Sequence, residues 1–455
     1  MKHKQHIFFI GIGGIGMSAL ARYFHLQGHD IAGYDLTSTA LTQKLEREGI
    51  SVIYDDKVEK ISGAMKGKNT TLVVYTPAIP ENNQIISWYR NQNFEVIKRA
   101  ELLGKITLQD KSIAVAGTHG KTSISTFTAH LLYQSKVKCN AFLGGISANY
   151  NTNLLYSENA SYTVIEADEF DRSFLHLNPQ IALISSIDPD HLDIYGSFDA
   201  VKTAFMAFAE KATDNDGTLI ASTKALKNIT LPGAIKSYGL NSEADYQAIN
   251  IRFERGTYHF DLKAPQGLLH GLSINLPGTY NLENAVAASA LALEAGIGEQ
   301  ELRSGLTTLK GVERRFQVRL NAGVVYIDDY AHHPTEIEAC ILSAKEAFPG
   351  KKLTVAFQPH LYSRTKDFYR GFAETLSLAD KIYLLPIYPA REEPIEGISS
   401  ELIGREVQDK ELKFIRKTEL LDILESEKPE VFISMGAGDI GFMAEDIEAT
   451  LKKHA

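Results

Sequence analysis

Short apolar runs alternate with segments of helical spacing along most of the chain. Near the N-terminus, Ile7–Ile10 predicts a buried strand, Met17–Leu26 predicts a helix and Ile31–Tyr34 predicts a second strand. Two further strands are predicted at Leu72–Tyr75 and Glu95–Ile97. Strands that alternate with helices favour a parallel sheet covered by helices. We therefore predict a Rossmann-like domain over residues 1–107.

The next part of the chain repeats this pattern and then changes. Ile113–Ala116 predicts a buried strand, and Ser123–Tyr133 is compatible with a helix. Further strands are predicted at Tyr162–Ile165 and Ile181–Ile187. Residues 214–280 instead alternate apolar and polar positions between turn signals, which predicts an antiparallel sheet at the edge of the domain. An alanine-rich helix, Ala285–Ala295, follows, and we place this α/β domain at residues 108–320.

A third unit is predicted over residues 321–455. Its apolar strands are Val324–Ile327, Leu353–Phe357, Lys381–Leu385 and Val431–Ser434. Helical segments separate these strands, so the sheet should be parallel and doubly wound. The whole chain is therefore expected to be an α/β protein of three domains.

Composition excludes several classes of protein. A length of 455 residues fits two to four domains, and a formal net charge of −9 gives no sign of a nucleic-acid or membrane partner. The two cysteines, Cys139 and Cys340, are too few for a disulfide framework and suit a reducing compartment. The N-terminus lacks the pattern of a signal peptide, and no apolar stretch reaches the roughly 18 residues of a membrane span. We therefore expect a cytoplasmic protein.

The first strand leads into a dinucleotide-type fingerprint. Gly11-Ile-Gly13-Gly14-Ile-Gly16 fits G-x-G-x-x-G, and Asp35 supplies the acidic residue at the end of the second strand. Thr76 begins a turn at another strand end, where open α/β sheets bind ligands. An NAD-dependent oxidoreductase is the simplest interpretation, but the same turn serves any pyrophosphate. The alternative is a close strand–helix packing that only needs small residues.

The second domain opens on a phosphate cradle. Gly117-Thr118-His119-Gly120-Lys121-Thr122-Ser123 joins the predicted strand to the predicted helix. Backbone N–H groups of such a turn bind phosphate, Lys121 can reach the β- and γ-phosphates, and the Thr122 hydroxyl can ligate Mg²⁺. The strict G-x-x-x-x-G-K-[ST] form fails, because Val115 stands where the first glycine should be. The alternative is a glycine-rich turn with an exposed lysine.

Polar clusters follow the next strands of this domain. They are Glu166-Ala-Asp168-Glu169-Phe-Asp171 and Asp188-Pro-Asp190-His191-Leu-Asp193. Side chains of this kind at strand ends are candidate Mg²⁺ ligands or substrate-binding groups, with solvated loops as the alternative. Asn281 and Asn284 could contact an adenine edge, although their spacing favours helix capping. Arg314, Arg315 and Arg319 form the densest basic cluster, which could neutralise charge on transferred phosphate or face solvent.

The strand ends of the third unit also carry polar groups. They are Asp328-Asp329-Tyr-Ala-His332-His333-Pro334, Gln358-Pro-His360-Leu-Tyr-Ser-Arg364, Tyr388-Pro-Ala-Arg391-Glu-Glu-Pro394 and Gly436-Ala-Gly-Asp439. A single histidine is usually a satisfied core residue. A histidine pair after an aspartate pair at a strand end is a stronger indication of a binding site.

Taken together, these motifs resemble the Mur ligases of bacterial cell-wall synthesis over the whole chain. The resemblance is carried by Gly11-Ile-Gly-Gly-Ile15-Gly-Met17-Ser18, Gly117–Thr122, Glu166–Glu169, Asp190-His191, Asn281–Asn284, Arg314-Arg-Phe316, Asp328–Pro334 and Tyr388–Pro394. The first run and the Asp-Asp-Tyr-x-His-His-Pro run are most similar to the family member that adds L-alanine.

The resemblance implies a reaction and a role for each domain. L-alanine would be joined to the lactyl carboxylate of UDP-N-acetylmuramic acid while ATP becomes ADP and phosphate, through an acyl phosphate. The first domain would bind the UDP-sugar rather than NAD, the central domain Mg²⁺ and ATP, and the third domain the amino acid. We expect a monomer or weak homodimer. A peptide-recycling relative acting on the same sugar nucleotide is the alternative, and an NAD(P)-dependent oxidoreductase is a distant one.

Family patterns also imply roles for single residues. The UDP-sugar side takes Gly11, Gly13, Gly14, Ile15, Gly16, Met17, Ser18, Asp35, Thr76 and His191. The ATP side takes Gly117–Ser123, Asn284, Arg315 and Asp329, with Asn281 and Arg314 as neighbours that stay open. Thr122, Glu166 and His191 would ligate Mg²⁺, with Glu169 as the alternative to Glu166, and Lys121, Glu166, His191 and Arg315 would be catalytic. The amino-acid side takes His332, His333, His360 and Arg364.

Two departures from the family pattern matter. Leu361 stands where many members have arginine, so a carboxylate contact falls to Arg364 alone. Several later Mur ligases carry a carbamylated lysine about 15 residues beyond the histidine, but position 206 here is methionine and the nearby lysines are Lys202 and Lys211. We therefore expect no carbamyl-lysine.

Overall fold

The computed structural model describes residues 5–189, 192–214, 216–240, 243–390 and 392–454. The chain divides into two compact units. One contains Met1–Asn250, Phe260–Leu272 and Asn284–Leu309, and the other contains Ile251–His259, Ser273–Glu283 and Lys310–Ala455. In the described part of the chain, no helix is both long enough and apolar enough to cross a bilayer.

The N-terminal sheet confirms the Rossmann-like prediction. Its strands are β1 His6–Ile10, β2 Asp30–Tyr34, β3 Ser51–Ile53, β4 Thr71–Tyr75 and β5 Glu95–Lys98. Its helices are α1 Ile15–Leu26, α2 Ala40–Arg47, α3 Gln84–Asn91 and α4 Arg99–Thr107. The strand order is β3-β2-β1-β4-β5, and every neighbouring pair is parallel. The carboxyl ends of β1, β4 and β5 therefore share one edge, where the G-x-G-x-x-G turn begins.

The central sheet is mixed. Its strands are β6 Ser112–Ala116, β7 Cys139–Ser147, β8 Thr152–Leu155, β9 Tyr162–Glu166, β10 Ile181–Ile184, β11 Thr218–Ser222, β12 Ile235–Leu240, β13 Tyr246–Glu254, β14 Thr257–Ala264 and β15 Gly267–Ile274. The helices are α5 Lys121–Gln134, α6 Leu192–Tyr195, α7 Phe198–Thr213, α8 Ala225–Asn228, α9 Thr279–Glu294 and α10 Glu299–Thr308. The order is β15-β14-β13-β12-β11-β10-β6-β9-β7-β8, so β6 lies between β10 and β9.

The predicted antiparallel edge sheet begins later than residue 214. Strands β11 and β12 pair parallel with each other, and β12 pairs parallel with β13. Connections of two residues join β13 to β14 and β14 to β15, and such short connections require antiparallel neighbours. The antiparallel edge is therefore made of β13, β14 and β15.

The third sheet confirms the doubly wound prediction, with one addition. Its strands are β16 Gln317–Ala322, β17 Val324–Asp329, β18 Leu353–Phe357, β19 Lys381–Leu384, β20 Glu411–Phe414 and β21 Val431–Met435. Its helices are α11 Pro334–Ala347, α12 Tyr362–Leu376, α13 Ser400–Gly404, α14 Leu420–Glu427 and α15 Ala444–Lys452. The order is β16-β17-β21-β18-β19-β20, and only β16 is antiparallel to its neighbour among these described strands.

A continuous apolar core joins the first two sheets. All residues of β6 are buried, as expected for a strand with helices on both faces. One buried cluster includes Leu20 of α1, Phe142 of β7 and Phe205 of α7. The rings of Tyr23 and Phe142 meet edge to face at 5.0 Å between centroids. This packing fixes α1 relative to the central sheet. Both cysteines are buried and free.

Candidate active site

The turn between β6 and α5 requires glycine at two positions. Gly117 has φ +134°, and a Cβ on it would lie 2.1 Å from Oγ of Ser185. Gly120 has φ +82° and caps α5 without a side-chain hydrogen bond. The chain therefore passes from a buried strand into a helix whose first N–H groups point towards an approaching anion. This confirms the strand-turn-helix arrangement predicted from Gly117–Thr122.

Residues that follow β10 hold the first half of this turn. The backbone N–H of Thr118 donates to the Ser186 carbonyl at 3.1 Å, and that of His119 donates to Oγ of Ser186 at 2.9 Å. The Thr118 hydroxyl donates to Asp188 Oδ2 at 3.3 Å. Since these two N–H groups are used within the protein, phosphate oxygens would meet the N–H groups that begin at Gly120. Ser186 lies outside every motif identified in the sequence.

Lys121 forms a buried ion pair with Glu169. Its Nζ lies 2.8 and 2.7 Å from the two carboxylate oxygens and donates to the Gly117 carbonyl at 2.8 Å. Glu169 is 1% exposed. Burial alone lowers the pKa of Lys121, but Glu169, Asp168 and Glu166 outweigh this effect and raise the pKa above its ordinary value. The lysine therefore stays charged beside the turn, held by the carboxylate that sequence analysis ranked second to Glu166.

Glu166 occupies the end of β9, in register with Val115 of β6. Its carboxylate lies against β7, where a Cβ on Gly144 would approach Oε2 to 2.2 Å. Together with Asp168 and Glu169 it forms an acidic edge next to the cradle, because β9 and β6 are parallel neighbours. The structure therefore brings the first predicted acidic cluster to the cradle.

The donors at this edge suit Mg²⁺. Thr122 and Glu166 offer the oxygen ligands that Mg²⁺ prefers, and this ion usually keeps several waters and substrate phosphates as its other ligands. Among the described residues, no three His, Cys, Asp or Glu side chains gather as a metal site would require. The predicted ligand His191 lies outside the described residues, as does Asp190.

Helix α9 begins earlier than predicted, which changes the interpretation of Asn281 and Asn284. Since α9 starts at Thr279, Asn284 lies inside the helix and does not cap it. Its Oδ1 lies beside the cradle, 2.9 Å from the position of a Cβ on Gly120. Asn281 donates from Nδ2 to the Pro277 carbonyl at 2.7 Å, so it also does not act as an N-cap acceptor. The capping interpretation is therefore wrong for both, and Asn284 is the one next to the turn.

The G-x-G-x-x-G turn is held by its own acidic residue. Oδ2 of Asp35 accepts the Gly13 N–H at 2.7 Å. A Cβ on Gly11 would lie 2.7 Å from Cγ2 of Thr76, so these two predicted residues are neighbours. Met17 is only 2% exposed and belongs to the core.

The hydroxyl of Ser18 is also committed within the protein. It donates to the Ile15 carbonyl at 3.0 Å and accepts from Nδ2 of Asn153 at 2.9 Å. Asn153, on β8, is buried, and its Nδ2 also donates to the Ile15 carbonyl at 2.6 Å. Asn153 thus braces the first turn of α1 from the central sheet.

In the third sheet, His332, His360 and Arg364 come together, as predicted. The rings of His332 and His360 are 6.1 Å apart, and His360 stacks on Tyr388 at 5.8 Å. Burial lowers the pKa of His332 to about 3, Glu336 acts in the opposite direction, and Arg364 and Arg315 add to the lowering. His332 is therefore neutral near pH 7 and can accept a hydrogen bond.

His333, the fourth of these predicted residues, lies at the N-terminus of α11. It caps α11, with Nδ1 accepting the Thr335 N–H at 3.4 Å, and its ring packs against Phe368 at 4.8 Å. Leu361 has φ +71°, a strained backbone for a leucine. Its N–H donates to the Tyr388 carbonyl at 3.0 Å, which helps to hold the strained loop in place.

The two adjacent arginines have different surroundings. Arg314 lies over the Tyr330 ring, donates to the Gly436 carbonyl at 2.6 Å and contacts buried Asp328 at 3.4 Å. Arg315 packs over the same ring, and its Nη1 is 3.9 Å from Glu336. Arg314 is therefore fixed by the Gly436 carbonyl and Asp328, whereas Arg315 lies beside Glu336 and the Tyr330 ring.

Asp329 binds backbone on both sides. Its carboxylate accepts the Phe316 N–H at 2.6 Å and the Ala331 N–H at 2.7 Å. Burial raises the pKa of Asp329 to about 6, although Arg315 opposes the shift. Because Phe316 has φ +46°, these bonds hold a strained turn that carries Arg315.

Two residues near these groups were missed by sequence analysis. Tyr330 lies under both arginine side chains, and Glu336 accepts the His332 N–H at 3.1 Å. Tyr330 stands inside a quoted motif. Glu336 follows His332 by four residues in the first turn of α11, a position that often reaches back to a preceding N–H.

Three models of known protein families together match most of the chain. The sequence model of the "Mur ligase family, catalytic domain" matches residues 6–111, that of the "Mur ligase middle domain" matches residues 115–292, and that of the "Mur ligase, glutamate ligase domain" matches residues 314–438.

Individual relatives are similar over their full length. The chain is 46% identical to the UDP-N-acetylmuramate–L-alanine ligase of Phocaeicola vulgatus over 99% of this chain and 98% of that protein. It is 47% identical to the enzyme of the same name from Christiangramia forsetii, over 100% and 99%.

Solved structures agree with these relatives. The UDP-N-acetylmuramate–alanine ligase of Thermotoga maritima has a TM-score of 0.84 at 26% identity, covering 99% of this chain and 100% of that one. A murein peptide ligase from Psychrobacter arcticus shares the fold, with a TM-score of 0.69 at 20% identity and 98% coverage of each chain.

Proposed function

Because this chain belongs to the Mur ligase family, we propose that it joins L-alanine to the lactyl carboxylate of UDP-N-acetylmuramate, with ATP converted to ADP and phosphate. The observation that carries the proposal is the cradle Gly117–Thr122, which places Lys121 and an acidic edge at one strand end. The choice of L-alanine rests on the full-length relatives. The product is a precursor of peptidoglycan.

The chemistry explains why a phosphate site is needed. A carboxylate is a poor acylating agent, so its oxygen first attacks the γ-phosphorus of ATP, and ADP leaves. The alanine nitrogen then attacks the acyl-phosphate carbonyl, and phosphate leaves from the tetrahedral intermediate. Two anions must meet in the first step, so the site must hold cations between them.

The central domain, residues 108–320, supplies the ATP site in this proposal. The N–H groups that begin at Gly120 bind phosphate oxygens, and Lys121 neutralises charge on the transferred group. Asn284 lies beside the turn and contacts the nucleotide. Thr122 and Glu166 would hold Mg²⁺, with Glu169 as the alternative carboxylate and His191 as a further ligand. The ion, when bound, draws electron density from the γ-phosphate.

The other two domains bind the partners in the reaction. Residues 1–107 bind the UDP-sugar at Gly11–Ser18, with Asp35 and Thr76 shaping the turn, and His191, which lies outside the described residues, is a further candidate contact. Residues 321–455 bind the amino acid. Arg364 pairs with its carboxylate, neutral His332 accepts a hydrogen bond from its ammonium group, and His360 completes the pocket. Arg315 and Asp329 act on the nucleotide side.

The proposal is tested by phosphate release. Purified protein is incubated with ATP, Mg²⁺ and UDP-N-acetylmuramate, and L-alanine, L-serine, glycine or a murein tripeptide is added singly. We expect release that depends on L-alanine and on the sugar nucleotide together. Preference for the tripeptide would favour the peptide-recycling alternative, and release independent of any amino acid would contradict ligation.

A further inference from the structure

Arg99, at the start of α4, lies between the glycine-rich turn and the acidic edge of the central sheet. Its guanidinium stands directly over Gly16, where a Cβ would come within 2.4 Å of Nη1. On the other side, Nη2 is 3.9 Å from Oδ2 of Asp168. Asp168 in turn acts on the charge of Lys121. Arg99 therefore stands between the two proposed phosphate sites.

The contact with Arg99 explains why the third glycine of the fingerprint, Gly16, has no side chain. In many Rossmann folds this glycine lets the helix pack closely on the sheet. Here any side chain at position 16 would displace the guanidinium of Arg99. Gly16 thus keeps open the space that Arg99 occupies beside the first turn of α1.

The guanidinium is only partly satisfied by the protein. The side chain is 23% exposed, so most of its surface is removed from water. Within the described ranges, the Asp168 contact is its one ion pair, at a distance too long for a hydrogen bond, and its N–H donors have no acceptor. No Arg99 nitrogen is both shielded from water and without a hydrogen bond, so an oxyanion could replace the water at these donors, and a planar fork of N–H groups fits an oxyanion well.

The neighbouring lysine behaves differently. Lys98 caps α4, and its Nζ makes a direct bond of 2.8 Å to Asp171. It spans the same two domains as Arg99, but its charge is used by a protein carboxylate at hydrogen-bond distance. Lys98 is therefore a matched control for a purely structural ion pair.

We propose that Arg99 binds an oxyanion of the sugar nucleotide, and that Asp168 holds the guanidinium in place when the nucleotide is absent. The inference rests on the proposed function. Two groups of that substrate have the required chemistry: the diphosphate, expected at the glycine-rich turn, and the lactyl carboxylate, which must approach the ATP site.

Calorimetric titration of four proteins tests the inference: the unchanged chain, Arg99→Ala, Arg99→Lys and Lys98→Ala. Each is titrated with UDP-N-acetylmuramate, with UDP-N-acetylglucosamine, which lacks the lactyl group, and with ATP and Mg²⁺. We expect Arg99→Ala to weaken UDP-N-acetylmuramate roughly tenfold to hundredfold, the usual range for a charge-assisted contact. Arg99→Lys should weaken it less, and ATP affinity should stay within about twofold.

The second sugar nucleotide identifies the oxyanion. An equal loss for UDP-N-acetylglucosamine assigns Arg99 to the diphosphate. A loss confined to UDP-N-acetylmuramate assigns it to the lactyl carboxylate. Gly16→Ala, which displaces the guanidinium without removing it, should reproduce the pattern of Arg99→Ala.

Three results would overturn the inference. Unchanged affinity in Arg99→Ala is the first, and an equal loss in Lys98→Ala is the second, because it would indicate a contact between domains rather than a substrate contact. The third is an equal loss of ATP affinity in Arg99→Ala with an unchanged urea unfolding midpoint, because the guanidinium would then serve the ATP site and not the sugar nucleotide. Failure of the unchanged chain to bind UDP-N-acetylmuramate would contradict the proposed function itself, and is thereby distinguished from these outcomes.

Discussion

The ion pair of Lys121 and Glu169 allows stability and activity to be separated. Lys121→Met removes the charge but keeps most of the side-chain volume, so it leaves the Glu169 carboxylate buried without its partner. Glu169→Gln keeps the shape and removes the opposite charge. The double variant contains a neutral amide beside an apolar chain. The singles should be strongly destabilised, and the double variant should recover.

The structure sets the size of the effect. The Glu169 side chain is 2% exposed and lies 2.7 Å from Nζ of Lys121. Breaking a buried ion pair by removing one partner typically costs about 3–5 kcal/mol, whereas replacing both partners is close to neutral. Two single losses of that size and a near-neutral double variant correspond to a coupling energy of roughly 6–10 kcal/mol in the double-mutant cycle. In Lys121→Met the lone carboxylate takes up a proton more readily in the folded state, so the loss should shrink as the pH is lowered.

Unlike stability, catalytic activity should not recover in the double variant. Lys121→Met and the double variant should both lose phosphate release by roughly a hundredfold or more, because neither has a cation for the γ-phosphate. Urea unfolding followed by circular dichroism measures stability, phosphate release measures turnover, and UDP-N-acetylmuramate binding is the control for an intact first domain. Additive stabilities in the cycle would refute the buried pair. Recovered activity in the double variant would refute the role of Lys121.

Three other predictions follow from single sites. Burial lowers the pKa of His130 to about 4, so its neutral form stabilises the fold above about pH 6.5, and this contribution of roughly 3 kcal/mol is lost as the pH falls towards 4. The urea unfolding midpoint of His130→Gln should therefore fall less between pH 7 and pH 5 than that of the unchanged chain. Equal falls of the two midpoints would contradict this prediction. Arg314→Ala should lower the free energy of unfolding by about 2–4 kcal/mol, because it leaves the buried Asp328 carboxylate without its partner. Arg315→Ala should instead lose activity with little change in stability. The reverse pattern in melting and turnover assays would exchange the roles of the two arginines. Gly117→Ala should abolish ATP binding, because its Cβ would lie 2.1 Å from a serine hydroxyl. The control Gly28→Ala, at φ +86° but with open space around the Cβ, should keep ATP binding and lower the free energy of unfolding by about 1–2 kcal/mol. Intact ATP binding in Gly117→Ala would disprove the steric argument.

The fold could be predicted wherever burial leaves a clear apolar pattern. β6 is buried along its whole length, and Ile113–Ala116 shows it as an unbroken apolar run. β3, of three residues, and β8, of four, are too short for any periodicity and were missed. The parallel pairing of β12 could not be predicted either, because alternation of side chains is the same in parallel and antiparallel strands.

The sequence indicated which residue types form the candidate site, but it did not indicate which side chains contact one another. Glu166 and Glu169 follow the same strand, and the path of the backbone decides which side chain turns towards Lys121. The turn that follows Glu169 contains two left-handed residues, Asp171 and Arg172, which no motif indicates. Adjacent arginines pose the same difficulty: both pack on the Tyr330 ring, yet Arg314 contacts Asp328 while Arg315 approaches Glu336, and no sequence motif separates the two. The contact of Arg99 with Gly16 joins distant parts of the chain and leaves no local signal.

The central claim is that the lactyl carboxylate is activated by phosphoryl transfer and then joined to L-alanine. UDP-N-acetylmuramate labelled with ¹⁸O in its carboxylate tests this most directly, with mass spectrometry of the released phosphate and of the sugar product after incubation with ATP, Mg²⁺ and L-alanine. One labelled oxygen should appear in each phosphate, and the sugar product should gain one alanine and retain the other label. Phosphate without label would contradict the account, because the carboxylate would then not have attacked ATP.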